Sequence, residues 1–300
     1  MSLHPPPDLP SCRRARAGAV EGYGPNLHPP ALRRRIDDMA LDITSLIERS
    51  ARLDTSEIDF DSFRDRPLDE DTLRCLRYMH DIEGHTTCYL RDLLVTRAHR
   101  DPELTAFMTC WAYEEHWHGE AIAKVLDAHG EPSGRARLEA LRQRLSRRES
   151  TRPLLFAAGS ALTRHLPAVH LAWGAFNEWS TQAGYGRLAA KAGHPVLTEL
   201  LRRIMKQEGR HIDFYANEAR RRLAHPRAQR LTRFAFRHFW SPVGAGVMPD
   251  TEVRFLAHHL FGDEEGLEAA RRIDRKVGRL PGLEGLRLLE GAVIAAPFAA

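Results

Sequence analysis

The chain has 300 residues, 43% of them hydrophobic and 28% charged, with 44 Lys and Arg against 40 Asp and Glu for a net charge of +4. That length buries a sizeable core and that composition is ordinary for a globular protein. No run reaches the roughly 18 uncharged apolar residues of a membrane helix; the longest, Leu154 to Ala161, is soon followed by Arg164 and His165, so no membrane span is expected.

Residues 1–30 are rich in Pro, Gly and Arg without apolar periodicity and read as a flexible leader. Arg13, Arg14 and Arg16 are followed by no apolar segment, so a secretory signal is not expected and a cytoplasmic location is. From there the pattern is helical and strand signals are essentially missing. A helix is predicted over about 31–50 after Pro29-Pro30, a long one over about 68–98, and another over about 101–129 that stops at Gly130 with Pro132 beyond. A short basic helix follows at about 135–148, then a long one over about 153–192, ending before Gly193 and broken or kinked at Pro167. The next, about 195–223, carries Pro195 in its first turn, and shorter helices fill about 227–239, 250–262 and 264–276. Residues 241–249 form a loop, and no composition break divides residues 31–300, which read as a single all-α domain.

The four cysteines, Cys12, Cys75, Cys88 and Cys110, make no C-x-x-C pair and look like reduced thiols. The arginines are scattered over many helix faces with acidic residues between them and no nucleic-acid-binding motif. An acidic protein partner is as compatible with that charge as a nucleic acid.

The chemistry lies in what interrupts the apolar stripes. Along the helix from 101, Leu104, Met108 and Trp111 lead to Ile122 and Val125, and the positions between hold Glu115 and His118. Along the helix from 195, Leu197, Leu201 and Ile204 lead to Tyr215, with Glu208 and His211 between. Each preceding helix carries one carboxylate on its own stripe: Glu83 among Leu76, Met79, Leu90 and Leu94, and Glu178 after Leu171 and Ala175. The order Glu, then Glu-x-x-His, therefore occurs twice at about the same spacing. Four buried carboxylates would each cost several kcal/mol to desolvate and would repel one another. Two ferrous ions supply about four positive charges, and neutral imidazoles complete the coordination. One Glu from each of two helices plus Glu-x-x-His from each of two others is the ligand scheme of ferritin-like di-iron and di-manganese bundles. Mixed oxygen and nitrogen donors suit iron, or manganese, better than structural zinc.

At these residues the chain resembles the soluble acyl-carrier-protein desaturases. The run Trp111-Ala112-Tyr113-Glu114-Glu115-His116-Trp117-His118-Gly119 is similar to that family's Glu-Glu-Asn-Arg-His-Gly motif, and Gln207-Glu208-Gly209-Arg210-His211 to its Asp-Glu-Lys-Arg-His motif. Thr181, one turn after Glu178, matches its Glu-x-x-Thr, and Val277-Gly278-Arg279-Leu280-Pro281 its Val-x-Arg-Leu-Pro segment. The similarity covers residues 65–285. It implies a ferritin-like four-helix bundle with additional N- and C-terminal helices, two iron ions, a homodimer, and oxygen-dependent insertion of a cis double bond into an acyl chain on acyl carrier protein. Ferredoxin would supply the electrons, and Thr181 would lie on the oxygen-binding side. Gln207 stands where the family has Asp, and His116 and Trp117 where it has Asn and Arg; these departures bear on electron delivery and substrate. The same ligand set would serve a di-iron oxygenase, by N-oxygenation or hydroxylation of a small or carrier-bound substrate. His116 reads as a residue supporting the ligands or at the surface and not as a seventh ligand, His258 and His259 as surface residues, and Trp111, Trp173 and Trp179 as core or supporting aromatics.

Overall fold

Amphipathic stripes with polar residues at their starts dictate helices, and helices are what form. A computed structural model describes residues 43–295, apart from the side chain of Arg148; the expected leader and most of the helix expected over 31–50 lie outside the described residues. In chain order the helices are α1 (Ile43–Glu48), α2 (Ser62–Asp65), α3 (Glu70–Leu94), α4 (Pro102–Ala128), α5 (Gly134–Gln143) and α6 (Arg147–Leu162). They continue with α7 (Leu166–Ala192), α8 (Pro195–Leu223), α9 (Pro226–Phe239), α10 (Asp250–Phe261), α11 (Glu264–Val277) and α12 (Leu289–Ala295). There is no β-strand among the described residues, so the fold is all-α.

Local chemistry sets the ends of the four long helices. The Asp69 carboxylate accepts the Thr72 N–H at 2.7 Å and that of Asp101 accepts the Leu104 N–H at 3.2 Å, each satisfying an orphan donor of a first turn. Pro102 and Pro195 sit in first turns, where a missing N–H costs nothing. α7 closes on Gly193 at φ 57°, a left-handed cap that strongly favours glycine.

The helix expected over 153–192 is two helices. The chain leaves helical geometry at Thr163 and restarts at Leu166, which puts Pro167 in a first turn instead of an interior. Upstream, α6 runs through Pro153 back to Arg147, because the Ser146 side chain accepts the Glu149 N–H at 3.2 Å and caps the helix earlier. α12 has no counterpart in the predicted elements. It starts where the Asp274 carboxylate accepts the N–H groups of Leu288, Leu289 and Glu290 at 3.0–3.1 Å, a cap supplied from fourteen or more residues away.

α3 packs along α4 and α7 along α8, and the two pairs meet through α3–α7 and α4–α8 contacts, giving a four-helix bundle. Leu76, Met108, Ile122, Phe176, Leu188 and Ile204 fill it. Each such side chain contributes about 1.5–3 kcal/mol on burial, and the sum lets the bundle carry a costly polar centre. Outside it, α9 lies on α7 and α8, and α10 and α11 cover one end of α7. The Arg187 and Lys191 side chains hold that corner through Asp263, at 2.6 Å each. No helix among the described residues is long and apolar enough to cross a membrane.

Candidate metal centre

Glu115 and His118 lie three residues apart on α4, and Glu208 and His211 three apart on α8, so each pair presents both side chains to one face. Those faces meet in the bundle interior, where α3 adds Glu83 and α7 adds Glu178. All six residues are buried: His118 and Glu208 are 0% exposed, and none exceeds 6%. α3 comes close at this level because Gly119 has no side chain; a Cβ there would meet Glu83 Cβ at 3.4 Å and the Gly84 nitrogen at 3.6 Å.

The donor atoms fall into two overlapping sets, Glu83, Glu115, His118 and Glu208, and Glu115, Glu178, Glu208 and His211, with all atoms of a set within 4.8 Å of one another. Glu115 and Glu208 belong to both. The imidazoles turn Nδ1 inward: His118 Nδ1 is 3.4 Å from Glu208 Oε1, and His211 Nδ1 is 2.9 Å from Glu208 Oε2 and 3.0 Å from Glu115 Oε1. Every residue singled out as a ligand from the sequence is therefore brought to one place.

Each outward-facing Nε2 has a partner on the opposite helix. His211 Nε2 donates to Glu114 Oε2 at 2.8 Å, and His118 Nε2 donates to Gln207 Oε1 at 2.8 Å. The Gln207 amide is oriented by its own Nε2, which donates to the Ala51 carbonyl at 3.0 Å. Glu114 also accepts from Arg210 at 2.5 Å and from the Ala51 N–H at 3.1 Å. The terminal carboxylates are held too, Glu178 by the Trp111 indole N–H at 3.0 Å and Glu83 by the Tyr185 hydroxyl. Sequence reasoning assigned no role to Glu114 or Tyr185 and treated Gln207 only as a departure. The signal was present: a polar residue directly before Glu115 and another directly before Glu208, both about 100° round the helix from the ligand and so aimed at the neighbouring helix.

The electrostatics of these side chains show what so many buried carboxylates require. Burial, and then the charge of Glu115, push the Glu83 carboxyl well up; burial and the charge of Glu208 do the same to Glu178. Burial and Glu208 raise Glu115 to about 7. Burial would raise Glu208 as well, but the flanking imidazoles of His118 and His211 outweigh it and hold that carboxyl far below the usual range. Burial lowers both imidazoles less than the carboxylates raise them, so His118 goes up and His211 well up. Protons therefore stand in for positive charge. His118 Nδ1 and Glu208 Oε1 are nevertheless buried without a hydrogen-bond partner, atoms that a cation would satisfy. The donor set, four carboxylates and two imidazoles in a buried interior, fits a divalent metal, and the buried groups could hold a metal ion.

Thr181 lines a cavity of about 80 Å³ between α3, α7, α10, α12 and the loop before α10. Glu83, Ser180, Thr181 and Tyr185 form its polar part, and Met79, Ile82, Val253, Leu256, Leu260 and Phe261 much of the rest. A second cleft, on the histidine side of the cluster, is lined by Arg49, Arg52, Arg202, Arg203, Lys206 and Arg210 with Asp54, and the buried Gln207 lies at its floor. His116 is exposed and belongs to neither donor set. No protein-family model matches this chain, and no curated protein or solved structure matches it either.

Proposed function

We propose that the protein is an oxygen-dependent di-iron oxidoreductase that introduces a cis double bond into an acyl chain carried as an acyl carrier protein thioester. The observation that carries this reading is the apolar pocket whose polar part includes Glu83, of the candidate centre, and Thr181. An alkyl chain gains about 0.8 kcal/mol for each CH₂ buried in such a pocket. A small polar substrate would forfeit its hydrogen bonds to water along walls that offer few in return. That contrast favours the acyl chain over a polar amine or amino acid.

Glu83, Glu115, His118, Glu178, Glu208 and His211 would hold two iron ions, and manganese would suit the same donors. When bound, reduced iron supplies the electrons and the oxidising power for cleaving unactivated C–H bonds with dioxygen. The balance is one dioxygen, two electrons and two protons taken up, two hydrogens lost from adjacent carbons, and two waters released. The protein's residues set the conditions. Trp111 and Tyr185 fix the outer carboxylates, and Glu114 and Gln207 fix the imidazole planes through Nε2, leaving Nδ1 for the metal. The pocket walls exclude water from the carbons that lose hydrogen. The Thr181 hydroxyl stands on that wall, one turn from Glu178, where it can hold a proton or a water. Electrons from an acidic ferredoxin are supported by the basic cleft, where Gln207 is hydrogen-bonded to His118.

The test is mass spectrometry of acyl chains after incubating iron-loaded protein with acyl carrier protein thioesters of graded length, ferredoxin, its reductase and oxygen. Loss of two hydrogens from one chain length, abolished by Glu115→Ala and by Ala257→Phe in the pocket wall, is the expected result. A gain of oxygen would replace desaturation by hydroxylation. Unchanged chains from a protein holding two irons would overturn the acyl reading in favour of a small-molecule oxygenase.

A further inference from the structure

The two donor sets are near copies, related by the helix pairs that supply them, yet their supports differ in charge. Behind His211 stands a carboxylate, Glu114 Oε2 at 2.8 Å; behind His118 stands a neutral amide, Gln207 Oε1 at the same distance. A carboxylate accepting from Nε2–H pushes more electron density onto Nδ1 than an amide does and adds its own negative charge. Arg210 offsets part of that charge, but through the other oxygen, Oε1, so the bond to the imidazole remains charge-assisted. The terminal carboxylates differ in the same sense. Glu83 accepts from a hydroxyl, Tyr185, which draws density from it more than the Trp111 indole N–H at 3.0 Å draws from Glu178.

We propose that the centre is filled in a fixed order, with Glu178 and His211 helping to hold the first metal ion and Glu83 and His118 the second, weaker one. Glu114 and Gln207 set that order as positioning residues. The inference rests on reading the cluster as a two-metal centre and adds which half is tight and what makes it so. Outer partners of a ligand imidazole are typically worth 10–100-fold in metal affinity, so the carboxylate–amide difference is placed at about tenfold or more.

Sequential binding alone proves nothing, because a first ion repels a second even in a symmetric centre. The assignment needs variants. Titration of metal-free protein with Mn²⁺ is followed by calorimetry and by the manganese electron paramagnetic resonance signal, with thermal melts of each metal-free variant to confirm folding. In the wild type two ions bind in separate steps. His118→Ala is expected to keep the tight step and lose the weak one, and His211→Ala to lose the tight step. Glu114→Gln should weaken the first step by about tenfold or more, and Gln207→Glu should strengthen the second by a similar factor and narrow the gap. Loss of the tight step in His118→Ala but not in His211→Ala would overturn the order. A Gln207→Glu protein that folds and shows an unchanged second step would overturn the cause. A folded wild type that binds no metal at all would instead sink the metal-centre reading itself, a result distinct from either.

Discussion

Removing metal should leave a protein whose stability falls as pH rises through neutrality, the reverse of what acidic ligands alone would suggest. Glu115 has a folded pKa of about 7 against an ordinary 4.5. A carboxylate raised on folding contributes stability that is complete below the unfolded value and is lost as pH climbs through the folded one. The difference of 2.5, from about 7 minus 4.5, corresponds to about 3 kcal/mol lost between about pH 4.5 and 7. His118 and His211, also raised, add to the loss over a range that begins at their ordinary 6.5. Glu208 and Glu114, both lowered, act in the opposite sense but at the acid end, where their contribution disappears as pH falls below 4.5. Metal reverses the trend, since it competes with protons for the same atoms and binds better as they leave. At a free concentration one hundred times its Kd, one ion adds about 2.7 kcal/mol. Urea denaturation in chelator and in Mn²⁺, at steps from about pH 5 to 7.5, measures both curves. A metal-free protein whose stability is flat or rising over that range would refute the reasoning, as would an absence of any gain from metal at the upper end.

Glu178→Gln keeps the shape and removes the cost of either burying that carboxylate or protonating it on folding. It is expected to make the metal-free protein more stable near pH 7.5, by about 1 kcal/mol or more, while lowering metal affinity; denaturation in chelator and a Mn²⁺ titration read the two effects. Trp111→Phe deletes the 3.0 Å hydrogen bond that orients Glu178; losing that orientation outweighs the density the indole draws, so metal binding should weaken by about tenfold with a smaller cost to the metal-free fold. Gly174→Ala drives a methyl group into the buried ring of Tyr215, which packs edge-on against Trp111 and Phe107. A loss of about 1–3 kcal/mol in chemical denaturation is expected, against almost none for Gly291→Ala, where a Cβ meets nothing.

Most of the helical framework and the whole set of candidate ligands were legible in the sequence. The reason is periodicity. On a helix with 3.6 residues per turn, a polar group on an apolar stripe must be buried, so Glu83, Glu115, His118, Glu178, Glu208 and His211 declared themselves without a partner in view. Proline and glycine fixed the ends of the long helices for equally local reasons, at Pro102, Pro195 and Gly193. What depends on contacts between distant residues was hidden. α12 is capped by Asp274 across a loop, and no local pattern announces such a cap. Which residues the two sets share, that Nδ1 and not Nε2 faces the centre, and that Glu114 and Gln207 each cross to the other helix's histidine follow from how α4 and α8 are juxtaposed. The pocket beside Thr181 is likewise built from α3, α7, α10 and a loop, far apart in the chain. Helical phase tells which side of a helix a residue occupies; only packing tells what it meets there.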